Sequence, residues 1–308
     1  MTKPAGCVIC GKTGQKRDEF SLSDQTLGLM HCPNCDLYYL EPRITMSAQI
    51  LENYYDKAPE PRVLEMADHF ADNSRFRSSK KGYAAQLAFI ERFVTPGRLL
   101  DVGSGFGGFL YIARGRGWDC FGVEISHFWG QKAQTLLGDK WRVIIGRLEN
   151  SNLAPNSFRV VHLRHVIEHL ENPHAILDII WNILEPGGIM VVETPNSRAM
   201  VNTTYAFFAR LRKLPRRIAT PVDPPFHLLG FSKYSLNKIC EQHHFVKRLC
   251  TTTAHGDPTW RFQSEGVSNL EFYGAHTTLM PFVHRFSARI GQGDNLLAIY
   301  QKPKEELV

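Results

Sequence analysis

The sequence predicts a doubly wound α/β domain with a small four-cysteine ribbon in front of it. Three observations carry that prediction. Two Cys-x-x-Cys pairs open the chain, a buried strand runs into a glycine-rich turn, and apolar strands then alternate with helices toward the C-terminus. At 308 residues and 43% hydrophobic content there is material for one such domain with a buried core and a small appended module. No apolar run approaches bilayer length and Met1-Thr2-Lys3-Pro4 lacks the apolar stretch of a signal peptide, so a cytoplasmic location is expected. The net charge of +6 suits an anionic substrate, a membrane surface or nucleic acid, and equally an ordinary enzyme, so it excludes little.

Residues 1–42 read as the ribbon. Cys7 and Cys10 are followed after 21 residues by Cys32 and Cys35, close to the two-knuckle spacing in which four thiolates surround one tetrahedral Zn²⁺. Gly11 and Pro33-Asn34 supply the turns, while Phe20, Leu22, Leu27, Leu29, Leu37, Tyr38 and Tyr39 supply short strands. So small a module has too little core to fold without its metal. With only Lys12, Lys16 and Arg17 as a basic cluster, it reads as a clip packed on the enzyme domain rather than a nucleic-acid surface. The other cysteines, Cys120, Cys240 and Cys250, are scattered singly, which argues against a disulfide framework. Residues 43–95 read as a helical connection, with helix-period apolar positions around Asn53-Tyr54-Tyr55 and over 83–93.

The segment Arg98-Leu99-Leu100-Asp101-Val102-Gly103-Ser104-Gly105-Phe106-Gly107-Gly108 is a buried strand entering a glycine-rich turn, with an apolar helix over 109–114. Gly103, Gly105 and Gly108 also satisfy the dinucleotide pattern, so other residues must choose the cofactor. A carboxylate at Asp101 is unwelcome beside a pyrophosphate but accepts hydrogen bonds from a cationic amino-acid moiety. Glu124 ends a second strand 23 positions later, at the distance that reaches ribose hydroxyls. A fourth strand over 158–166, a helix over 173–184, a strand over 189–193, a helix over 234–244 and strands over 246–251 and 296–301 complete a seven-stranded sheet, with Glu185-Pro186-Gly187-Gly188 as a turn.

The order Asp101 to Gly107, then Glu168-His169-Leu170-Glu171-Asn172-Pro173, Pro186-Gly187-Gly188 and Thr194-Pro195-Asn196 resembles the class I S-adenosylmethionine-dependent methyltransferases over 96–302. The resemblance implies a Rossmann-like, mostly parallel sheet whose last strand is antiparallel. It also implies that Asp101, Gly103, Gly105 and Gly107 form the methionine end of the cofactor site, that Glu124 binds the ribose, and that Leu148 and Glu149 border the adenine. Arg147 and Arg159 depart from the family, standing where many relatives carry Asp. A four-cysteine ribbon occurs in a subset that includes sugar C-methyltransferases, which points to a small-molecule acceptor: a sugar, nucleotide-linked sugar, lipid or secondary metabolite. The alternatives are an RNA methyltransferase using the ribbon and a basic insertion, and a binding module that keeps the fold without catalysis.

Two insertions, 199–225 and 252–291, follow strands on the acceptor side, where lids belong. In the first, Tyr205, Phe207 and Phe208 interleave with Arg210, Arg212, Lys213, Arg216 and Arg217, so 205–217 reads as a lid helix or as a contact with anionic lipid, nucleic acid or a phosphorylated sugar. The catalytic candidates are His165, Glu168, His169 and His227. They resemble the Glu-x-x-Glu-His segment of small-RNA 2′-O-methyltransferases and some quinone O-methyltransferases, with His165 replacing the first Glu. That resemblance implies a divalent metal; the residues themselves also allow His165 or His227 as general base, or Glu168 and His169 as a helix cap.

Overall fold

The computed structural model describes residues 6–22, 25–44, 61–72, 76–138, 142–200, 222, 227–253 and 286–304. Asn53-Tyr54-Tyr55, Trp141, the basic-aromatic run 205–217 and Trp260, Phe262, Phe272, Tyr273 and His276 of the second insertion lie outside the described residues.

Strands β1 (Gln15–Leu22), β2 (Gln25–Cys32) and β3 (Leu37–Glu41) form an antiparallel meander. Helices α1 (Pro61–His69) and α2 (Arg77–Ile90) follow. The α/β alternation then runs β4 (Arg98–Val102), α3 (Gly108–Arg114), β5 (Asp119–Glu124), α4 (His127–Leu137), β6 (Val143–Ile145), β7 (Phe158–Arg164), α5 (Pro173–Ile183) and β8 (Leu184–Pro195). After the first insertion come β9 (Leu229–Gly230), α6 (Lys233–Gln242), β10 (Val246–Thr253) and β11 (Asn295–Gln301).

The main sheet has seven strands in the order β10-β11-β8-β7-β4-β5-β6. Only β11 runs against the rest, so the sheet is mostly parallel with one reversed strand, as the sequence implies. Chain order reverses between β4 and β7, and in an open parallel sheet ligands bind outside the carboxyl ends at that point. Side chains bury both faces: Phe158, Val160, Val161 and Leu163 of β7 are fully buried, the near-continuous apolar run of a strand covered by helices on either side. His162 is the buried polar residue inside that run.

Local chemistry fixes the helix ends. Ser126 Oγ accepts from Trp129 N at 3.1 Å to start α4, and Gly138 closes it with a left-handed residue. Asn172 caps α5 with Pro173 in the first turn, and Ser232 with Ser235 forms a capping box on α6. The Pro186-Gly187-Gly188 segment differs from expectation: instead of a turn before a strand it lies within the long β8. Gly187, at φ +85°, donates its N–H to Lys302 O at 2.9 Å, so pairing with the residues after β11 absorbs the kink.

The N-terminal meander is not a free-standing ribbon. Its sheet takes a fourth strand, β9, with Tyr39 opposite Leu229 and Tyr38 opposite Gly230. Leu27, Leu37, Tyr39 and Leu40 share one hydrophobic core with Ile176, Ile180 of α5, Leu236, Ile239 of α6 and the β7–β8 face of the main sheet. Polar contacts add to it: His174 lies 2.7 Å from Val8 O, Gln242 donates to Ile9 O at 3.1 Å, and Ser232 Oγ donates to Asp36 O at 2.9 Å.

Candidate active site

The glycine turn leaves β4 with three left-handed residues, Gly103 (φ +72°), Gly105 (φ +53°) and Gly107 (φ +83°). At Gly103 a side chain is excluded twice, by the backbone and because its Cβ would stand 2.6 Å from Val166 Cγ2. Gly105 faces open space, with no atom within 4 Å of where a Cβ would be. Gly103 and Ser104 both donate to Val123 O, which ties the turn to β5. At the end of β5, Glu124 is 6% exposed and accepts from Gly105 N at 2.7 Å through Oε2 and from Ser126 N at 2.8 Å through Oε1. Burial first, then the charge of Asp101, outweigh those bonds and push its carboxyl up to about 7.

This arrangement fits a nucleoside cofactor: an open glycine turn beside a buried carboxylate at the neighbouring strand end. Leu148 and Glu149 sit in a short 3₁₀ turn (Leu148–Asn150) beyond β6, Leu148 buried and Glu149 exposed. Asp101 is placed less directly. It is 4% exposed and its Oδ1 lies 2.7 Å from His162 Nδ1.

The acceptor side gathers all four candidates after β7. His165, at φ +52°, ends the strand, and Glu168 and His169 occupy the 3₁₀ turn Ile167–His169 rather than capping an α-helix. His227 arrives from the far side of the first insertion. Leu228 N donates to Glu168 O at 2.8 Å, and the His169 and His227 rings stand edge to face at 4.9 Å. Glu168 is 1% exposed, with Oε1 at 3.0 Å from His165 Nδ1 and Oε2 accepting from Thr194 Oγ1 at 2.9 Å. Burial holds the His165 imidazole down at about 4, so the ring is neutral and donates from Nδ1. Burial alone would raise Glu168, but that bond and the three surrounding imidazoles outweigh it and keep it ionised. Ligand atoms of Glu168, His169 and His227 lie within 4.8 Å of one another, and His165 joins this group through Glu168.

In the ribbon, the four sulfurs of Cys7, Cys10, Cys32 and Cys35 also lie within 4.8 Å of one another. Cys10 Sγ and Cys32 Sγ are 3.7 Å apart, against the ~3.8 Å that a tetrahedron with Zn–S near 2.3 Å requires. The cluster is consistent with a zinc site. Beside it Asp36, at φ +50°, accepts from Arg198 Nε at 3.1 Å and pairs with His31 Nε2 at 3.0 Å, a clasp that spacing in the sequence does not signal. Equally unsignalled is Gln86, whose Nε2 reaches both His162 and Glu193 beneath the glycine turn.

Residues 75–247 match the family model described as a methyltransferase domain, and the chain belongs to that family. It is an S-adenosylmethionine-dependent enzyme of class I, with S-adenosylmethionine as methyl donor. Among solved structures of similar fold, one is an S-adenosylmethionine-dependent methyltransferase from Archaeoglobus fulgidus (18% identity, 76% of this chain and 99% of that one, TM-score 0.50). Others are geranyl diphosphate C-methyltransferase from Streptomyces coelicolor A3(2) (14%, 82% and 97%, 0.53) and phosphoethanolamine N-methyltransferase 2 from Haemonchus contortus (15%, 93% and 71%, 0.51). No curated protein matches the sequence. Among the described residues, no helix is long and apolar enough to cross a membrane.

Proposed function

We propose that the protein methylates a small-molecule acceptor, a sugar, nucleotide-linked sugar, lipid or other secondary metabolite, with His227 taking the acceptor's proton. One arrangement carries this reading: the part-buried imidazoles of His169 and His227 stand together beyond the carboxyl end of β7, beside the buried carboxylate of Glu168. S-adenosylmethionine supplies an electrophilic methyl group on a sulfonium. The protein's residues then have to bind, align, exclude water and hold a proton. Gly103, Gly105, Gly107 and Glu124, with Asp101 behind them, are the cofactor residues in this reading, and Leu148 and Glu149 border the adenine. Glu124 Oε2 accepts from Gly105 N and Oε1 from Ser126 N, and a carboxylate with four lone-pair sites still has room for a ribose hydroxyl. A neutral imidazole is a competent base near pH 7, and His227 is better placed for it than His165, whose side chain is 5% exposed. In the ribbon, Cys7, Cys10, Cys32 and Cys35 would hold one structural zinc.

A second reading has its own observation, the ligand geometry of Glu168, His169 and His227, which would suit zinc, manganese or iron beside the acceptor. Methyl-labelled cofactor offered with pools of nucleotide sugars, lipids and RNA tests the class. Label in a small molecule supports the proposal, whereas label in RNA with salt-sensitive association overturns it. His227→Ala should lower turnover by ~10²–10⁴ while sparing affinity for S-adenosylhomocysteine. Full activity in that variant removes the base, and a second metal by elemental analysis of the intact protein selects the other reading.

A further inference from the structure

A chain of buried polar groups runs beneath the cofactor turn, across β4, β7 and β8, and is closed from above by α2. Asp101, His162 and Glu193 are 4%, 1% and 8% exposed. The His162 ring is stacked on Phe109 with centroids 4.2 Å apart, so it has no freedom to turn toward water. In such surroundings each polar atom needs a partner, and the partners determine where the protons are.

Gln86 Nε2 lies 3.0 Å from Glu193 Oε2. A carboxylate only accepts, so the amide must present its NH₂ there and not its oxygen. The same nitrogen lies 3.1 Å from His162 Nε2, which must therefore accept. An imidazole with its lone pair on Nε2 carries its proton on Nδ1, and that proton is donated to Asp101 Oδ1 at 2.7 Å. Asp101 Oδ1 is thus an acceptor, the role a carboxylate fills. At the far end Arg164 Nε stands 3.3 Å from Glu193 Oε2, so a cation faces Glu193 whereas the His162 ring faces Asp101.

We propose that Gln86 is a positioning residue: through His162 it holds Asp101 as a buried carboxylate under the Gly103 turn, and this fixed charge makes the site favour the cationic methyl donor over its neutral demethylated product. The charge is felt at the site, since after burial it is Asp101 that adds most to the upward push on Glu124 by charge. Gln86 stands far from the glycine motif in sequence, on a helix whose apolar period gives no hint of this contact. Its long side-chain amide carries two N–H donors on one nitrogen, which is what two acceptors on adjacent strands require.

The charge argument rests on the cofactor assignment, and the test separates the two. Long-range ¹H–¹⁵N NMR of the full-length protein should show the His162 ring with its proton on Nδ1. Calorimetry should show S-adenosylmethionine preferred over S-adenosylhomocysteine in the wild type relative to Asp101→Asn, by about tenfold. Gln86→Glu, of equal size, turns an acceptor toward both Glu193 and His162. It should force a second proton onto the ring and bring the donor-to-product ratio down to that of Asp101→Asn. A wild-type ring protonated on Nε2 overturns the proton chain. A Gln86→Glu ring that gains its proton while the ratio stays unchanged overturns the role in discrimination. Binding of neither compound to the wild type overturns the cofactor assignment, and the ring signal still judges the proton chain.

Discussion

The proposed donor half and the proposed acceptor half of the site are built in opposite ways. The donor half comes from one continuous stretch, β4, the glycine turn, α3 and β5, and its contacts are mostly backbone: Gly103 and Ser104 to Val123, and Gly105 and Ser126 to Glu124. The acceptor half is assembled from the turn Ile167–His169, the residues before β9 and, behind them, the ribbon. The two meet where Gly103 faces Val166. A site made of local backbone is insensitive to what happens elsewhere in the chain. One made of distant side chains depends on every element that brings them together.

Removing metal from the proposed four-cysteine zinc site should break this contrast most visibly. Binding free energy on the order of 10 kcal/mol folds modules of this size, so chelation should release the strands β1 to β3 and, through β3, the segment 227–232. Hydrogen exchange should rise there and methyl transfer should fall, while affinity for S-adenosylhomocysteine persists. Loss of cofactor affinity together with activity would show that the halves are not independent.

Glu124→Ala tests the donor half and should cost ~1–3 kcal/mol of cofactor affinity, read by calorimetry. Its pH dependence has a definite sign. Because burial raises the folded carboxyl from its ordinary value to about 7, its contribution to stability is fully present below the ordinary carboxylate range and lost as pH rises through 7. The cofactor-free protein should therefore unfold more easily at pH 8 than at pH 5 by up to ~3 kcal/mol on account of this residue, and Glu124→Gln should flatten that slope. Ribose hydroxyls favour the ionised form, so affinity should climb from pH 5 to 7 with proton release, measurable by titrating in buffers of different ionisation enthalpy.

The smallest expected effect is at the clasp. Arg198 is exposed, and Arg198→Ala should cost at most ~1 kcal/mol of thermal stability. It sharpens the comparison if the Michaelis constant for the acceptor shifts more than that for the cofactor.

Legibility followed the same division. The glycine turn, Glu124 and the cysteine pairs could be read because each is a short pattern whose spacing states its geometry. The seven-stranded, mostly parallel sheet with its reversed last strand, β11, came from resemblance and agrees with the structure. What could not be read was pairing between distant segments: β9 joining the ribbon, Asp36 meeting Arg198, and Gln86 meeting His162. None has a period or a spacing, since each depends on how the helices and sheets pack. His165, Glu168, His169 and His227 were legible as candidates, but which of them faces solvent and which lies beneath was settled only by packing. The Pro186-Gly187-Gly188 segment was misread as a turn because its partner residues after β11 lie more than a hundred positions on.

The fourth strand of the ribbon sheet also sets an order of assembly on the ribosome. The cysteine knuckles are made long before β9, so β3 waits for Leu229 and Gly230, and Asp36 for Ser232, 196 positions later. Contacts of such separation form slowly. Until β9 is made the nascent ribbon therefore presents β3 as an open sheet edge, carrying Tyr38 and Tyr39, a template on which another chain could pair. Loading of the proposed zinc and the arrival of β9 would thus be two separate events, and in the interval between them this edge stays open to pairing.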